Sequence, residues 1–144
     1  MHSIANEIGL ERVAAVVDEF YRRVMLDPQL SQPFAIVDDW PAHKQHLTHF
    51  WWVSLGGERY ADYQYQVPAK HEAAGFTPAL LDIWLPLFAA TLNDFLPPEL
   101  AQPWLQRAEK IGESLRMLHQ FYHAADAQPH TQQERIAGLS ASQV

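Results

Sequence analysis

The sequence predicts an all-α fold, on three observations. Apolar residues recur with a helical period along nearly the whole chain, the interruptions fall at proline, glycine and capping residues, and neither strand-like alternation nor an internal repeat is present. The elements follow in order. Leu10, Val13, Ala14, Val17, Phe20, Tyr21 and Val24 form an i, i+3, i+4, i+7 stripe. Asp27-Pro28 closes that helix, because the residue before a proline is pushed out of the α region. A turn-like segment reaches Phe34. Asp38-Asp39-Trp40-Pro41 then reads as a helix start, with carboxylates at the N-terminus and proline in the first turn. On this second helix His43, Leu47, Phe50, Trp51 and Ser54 share a face, and Gly56-Gly57 ends it.

Residues 58 to 76 are less periodic and read as loop plus a short helix carrying His71. Thr77-Pro78 restarts the chain as N-cap and first helical residue. The third long helix, about 78 to 95, is apolar almost all round, a pattern expected of a buried central helix. Pro86 inside it removes one backbone hydrogen bond and should kink it. After Pro97-Pro98 a fourth main helix carries Leu100, Trp104, Ala108, Ile111, Leu115, Leu118 and Tyr122 on one stripe. Residues 126 to 144 lack a stripe and read as a flexible C-terminal tail, leaving residues 1 to 125 as one domain.

Composition narrows the function classes. With 144 residues, the chain is long enough for one substantial core. It has no cysteine, so disulfides, thiolate metal sites and cysteine nucleophiles are excluded. A net charge of −7 with only 10 Lys and Arg argues against a nucleic-acid partner. No apolar run approaches the ~18 residues of a transmembrane helix. The N-terminus has no basic stretch followed by an apolar one, so a cytoplasmic protein with no membrane partner is expected. Nucleophile-elbow, P-loop and dinucleotide-binding motifs are missing.

The chemistry gathers in Tyr21, His43, Trp51, His71 and Trp84. Two histidines, a phenol and two indoles on converging helices suit a flat, apolar, iron-bearing ligand with one polar side. Haem iron takes a neutral imidazole on its proximal face and needs controlled polarity on the other. His71 follows a Gly-Gly break 28 residues beyond His43, so the chain can travel round a planar ligand and meet its other face. Taken singly, each residue has a plainer reading: His71 an ordinary loop histidine, Tyr21 a core phenol bonded to a carbonyl, Trp84 a core aromatic. Two further histidine patterns have metal-like spacing but are weak signals. His43, His46 and His49 are spaced i, i+3, i+6, but the outer two diverge around the helix. His119 and His123 have the i, i+4 spacing of zinc helices, yet Gln-Phe-Tyr between them lacks the general base of HExxH. A haem-free helical interaction protein, or a zinc-binding bundle, is thus the alternative.

The order of the motifs adds a resemblance. Phe20-Tyr21-Arg22-Arg23-Val24, Asp27-Pro28-Gln29-Leu30 through Phe34, Trp40-Pro41-Ala42-His43 with Phe50-Trp51, His71, and Ile83-Trp84-Leu85-Pro86-Leu87-Phe88 resemble a truncated haemoglobin, most like group III, over residues 8 to 123. The resemblance implies a globin-like two-over-two helical sandwich around one haem b. His71 would be the axial ligand, and Tyr21, His43, Leu47 and Trp84 would form the distal side. Phe34, Trp51 and Phe88 would pack on the haem, and His46 or Lys70 would reach a propionate. O2, NO, CO or peroxide would be the small ligands, with NO/O2 or peroxide chemistry favoured over O2 storage, served by a separate reductase. Tyr63-Gln64-Tyr65-Gln66-Val67-Pro68 departs from the family's Tyr-x-Gly-x-Pro lead-in: the glycine is absent and the proline is shifted by one.

Overall fold

A computed structural model describes residues 3–63 and 75–127. Among them are five α-helices and no strand. They are α1 (Ile4–Ile8), α2 (Leu10–Leu26), α3 (Trp40–Ser54), α4 (Pro78–Phe95) and α5 (Pro98–Ala127), with a single 3₁₀ turn at Gln32–Phe34. The predicted punctuation holds residue by residue. Asp39 caps α3 by accepting from the Ala42 N–H, and Thr77 caps α4 by accepting from the Leu80 N–H. Asp27 closes α2 and its side chain accepts from the Gln29 and Leu30 amides, turning the chain toward Phe34. Past Ser54 the chain reverses at Gly56, whose φ of 96° lies in the left-handed region that only glycine enters cheaply.

The helices pack as two layers. α2 lies against α3 and α4, and α4 lies against α5. The α2–α3 pair thus covers the α4–α5 pair, a two-over-two sandwich. Its interior is built by Val13, Val16, Val17, Phe20 and Val24 of α2, Trp51 of α3, Leu81, Phe88 and Leu92 of α4, and Trp104 and Ala108 of α5. Full burial of each large side chain contributes about 1.5–3 kcal/mol. α4 and α5 approach closely at Gly112, where an added Cβ would stand 3.1 Å from a Leu81 methyl.

Several expectations need correction. The N-terminus forms a short extra helix, α1, capped by Ser3. The Ala5 amide donates to the Leu55 carbonyl, and Ala5 and Ile8 are buried. Gly9, at φ 89°, makes the sharp turn from α1 into α2. On α2, Val16 is buried although off the predicted stripe, whereas Leu10 is exposed. α4 is less enclosed than its composition suggests: Leu80, Ile83, Trp84, Leu85 and Leu87 are only half-buried, because α2 and α5 cover part of its circumference. It runs unbroken through Pro86. α5 extends to Ala127, two residues past the expected start of the tail; residues beyond it lie outside those described.

Candidate functional site

Tyr21, near the middle of α2, faces inward with 5% of its surface exposed. Its ring meets Phe34 at 5.5 Å and His43 of α3 at 6.3 Å, edge to face. Trp40 completes this group, 5.4 Å from His43 and 6.0 Å from both Tyr21 and Phe34. A second group surrounds Trp84 of α4. Trp84 stacks on Phe88 at 4.8 Å, Phe88 stacks on Trp51 of α3 at 5.4 Å, and Trp104 of α5 closes the set at 5.7 Å from Phe88. Phe20 joins the two: its ring lies 5.0 Å from Tyr21, 4.9 Å from Trp84 and 4.9 Å from Phe88. Edge-to-face contacts of this kind fix ring orientation as well as burying area.

The polar atoms of this region are few and well separated. No hydrogen bond to the Tyr21 hydroxyl or the Trp84 indole N–H is made among the described residues, so both keep a donor. Burial alone pushes the Tyr21 phenol well above its ordinary value of 10, so it is a neutral donor at physiological pH. Outside the aromatic core, Arg23 couples α2 to α4: it donates to Glu19 at 2.6 Å, to Asp94 at 2.6 Å and to Thr91 at 3.1 Å. Hydrogen bonds from Arg22 and Arg23 hold the Glu19 carboxyl down at about 2. Lys44 pairs with Asp18 at 2.7 Å and ties α3 to α2. The helices that present Tyr21, His43 and Trp84 are thus held by charge pairs as well as by packing.

Leu47 is half-buried against the same core. The His46 ring lies 3.9 Å from that of Tyr63. Lys70 and His71 lie outside the described residues. Sequence reasoning passed over three participants. Trp40 was read as a helix start, although its place one turn before His43 puts both on one face. Trp104 is fully buried, and its indole N–H has no hydrogen-bond partner among the described residues. His49, considered as a metal ligand, is a fully buried backbone acceptor instead: its Nε2 accepts from the Tyr60 N–H at 3.2 Å. Tyr60 and Tyr63 meet it edge-on at 4.5 and 5.2 Å. With Trp52 Nε1 donating to the Glu58 carbonyl and Arg59 to that of Tyr63, His49 fastens residues 58 to 63 to α3. Of the three histidines of α3, His43 thus sits with Tyr21, Phe34 and Trp40, whereas His46 and His49 both meet Tyr63. Among the described residues no three His, Asp or Glu side chains gather to hold a metal ion.

Burial lowers the His49 pKa below 6.5, with Arg59 and His46 adding to the effect. The native state holds it neutral, while the unfolded chain takes up a proton at its ordinary value. Its contribution to stability is full above pH 6.5 and shrinks as pH falls from there to the lowered native pKa. Unfolding midpoints in urea at pH 7.5 and 5.5 should therefore differ more for the wild type than for His49→Gln, which keeps an acceptor for Tyr60 but does not titrate. Equal differences would show that His49 is not the titrating group.

A family model for bacterial-like globins matches residues 3–127, nearly all of the described chain. The chain belongs to the bacterial-like globin family. The globin is also 31% identical over 121 residues to the Group 3 truncated hemoglobin ctb of Campylobacter jejuni subsp. jejuni serotype O:2, an alignment covering 79% of this chain and 94% of that relative. It is accordingly a truncated globin of group III, and a haem-binding protein as a member of that family. The residues present fit such a group. A buried phenol beside an imidazole, and a half-buried indole on the far side of Phe20, border a broad aromatic and aliphatic wall, which suits a flat apolar ligand with a polar side. No helix among the described residues is long and apolar enough to cross a membrane.

Proposed function

We propose that this globin holds haem b through His71 and takes up O2 and other diatomic ligands on the side of Tyr21, His43 and Trp84, for NO/O2 or peroxide chemistry more than for O2 storage. The observation that carries the reading is the Tyr21 hydroxyl: a donor on a ring 5% exposed, beside His43, with no protein acceptor among the described residues. When bound, haem supplies the iron at which O2, NO, CO or peroxide is taken up. Tyr21 donates to a ligand oxygen that carries negative charge, and Trp84, a donor only, adds a second hydrogen bond. His43 lies beside both the Tyr21 and the Trp40 rings and controls entry or adds a third polar contact. Phe34, Leu47, Trp51 and Phe88 keep water from the ligand, and His46 and Lys70 serve the propionates. The same two donors, Tyr21 and Trp84, would also stabilise negative charge on a bound peroxide oxygen. A polar pocket of this kind retains O2 and favours it over CO, which suits reaction better than release. A separate reductase would be its protein partner. Residues 1 to 125 form the haem domain, and 126 to 144 a tail outside it.

The test is an absorption spectrum of the purified protein reconstituted with haemin, beside His71→Ala. The wild type is expected to show an intense Soret band with one haem per chain, lost or shifted in the variant. Failure to take up haem would sink the reading, and an unchanged band in the variant would remove His71 as the ligand.

A further inference from the structure

Outside the aromatic core, the end of α5 carries a pair of imidazoles that the haem reading does not use. His119 and His123 stand one helical turn apart, so their side chains rise from the same face. Their rings already lie together, with centroids 4.1 Å apart and planes tilted by 39°. His119 is half-buried and His123 exposed, so the pair opens to solvent. We infer that His119 and His123 form a two-imidazole site for a borderline divalent transition-metal ion, of the chemistry shared by Cu2+ and Zn2+.

Four considerations carry this. Neutral imidazole is the ligand type that suits Zn2+, Cu2+ and Ni2+, whereas Mg2+ and Ca2+ take oxygen donors. Successive turns of a rigid helix hold the two rings in register, so little ordering remains to be done on binding. The ring separation leaves a small rotation of either side chain to aim both nitrogens at one ion. The electrostatics are permissive as well. The chain carries a net charge of −7, and Arg116 is the one Lys or Arg between residues 111 and 134. That guanidinium is ion-paired with Asp82 of α4, which offsets its charge.

With two protein ligands the site is open: the remaining coordination positions go to water or to a ligand from solution, unlike the closed four-ligand sites that hold folds together. Binding clips two turns near the end of α5 together. Cu2+ should bind more tightly than Zn2+, following the general order of divalent affinities. Both should weaken in acid, because protons compete with the metal ion for imidazole.

The site is tested by titrating ZnCl2 into the full-length haem-loaded protein by calorimetry, in chelator-free buffer, for the wild type and for His119→Gln, His123→Gln and His130→Gln. Glutamine is a good helix former, so α5 is retained. The expected result is one Zn2+ per chain in the wild type. Each helix variant should bind on the order of tenfold more weakly or worse, while His130→Gln behaves as wild type. Added Zn2+ should also raise the melting temperature of the wild type and leave that of His123→Gln unmoved. Absence of binding, binding undiminished in both helix variants, or loss confined to His130→Gln would each overturn the site. Haem uptake, followed at the Soret band, is a separate readout, so the two proposals stand or fall independently.

Discussion

Truncating Phe20 to alanine is expected to lower the free energy of unfolding by about 3–5 kcal/mol. Phe20 is fully buried and sits where the two aromatic groups meet, with its ring 4.9–5.0 Å from Tyr21, Trp84 and Phe88. Removing it opens a cavity between α2 and α4 and forfeits three edge-to-face pairs, each worth roughly 0.5–1.5 kcal/mol beyond its area. Because Tyr21 and Trp84 both lean on this ring, the loss should reach the proposed ligand side too, as weaker haem retention. Guanidinium unfolding of the haem-free and haem-loaded protein measures both effects. A loss below about 1 kcal/mol would mean that the neighbouring rings refill the space.

Replacing Tyr21 by phenylalanine is expected to speed O2 release from the ferrous globin by roughly 10–100-fold, the equivalent of one hydrogen bond to a charged acceptor. The ring contacts to Phe20, Phe34, Trp40 and His43 involve no hydroxyl, so the fold should be little disturbed. Burial raises the phenol pKa, so release from the wild type should stay flat from neutral pH to 10, with the donor protonated throughout. Stopped-flow mixing with a scavenger gives both rates. An unchanged rate in Tyr21→Phe would remove the phenol from ligand retention. Fast release by the wild type would undo the argument against O2 storage.

What was legible in the sequence was what local chemistry dictates. Asp39 and Thr77 announced their helices because a cap needs only an amide two or three residues on. Tyr21, Trp51 and Phe88 were found because their stripes have a period. α1 escaped because five residues are too few to show one, and its burial depends on Leu55 and α5, distant in sequence. His49 was misjudged for the same reason: its partner is the Tyr60 amide, eleven residues away and across a chain reversal. The half-burial of Trp84 was equally invisible, since composition cannot say how much of an apolar helix its neighbours cover.

The packing of α1 against α5 also bears on how the chain is made. The ribosome delivers residues 4 to 8 roughly 5 to 20 s before it reaches α5 at ordinary elongation rates. Throughout that interval Ala5 and Ile8 lack the helix that helps to bury them, and the α2–α3 layer has no floor until α4 and α5 emerge. Nascent globin is therefore a half-built sandwich with its sticky side open, and α5, the last of the described helices to be synthesised, seals the first.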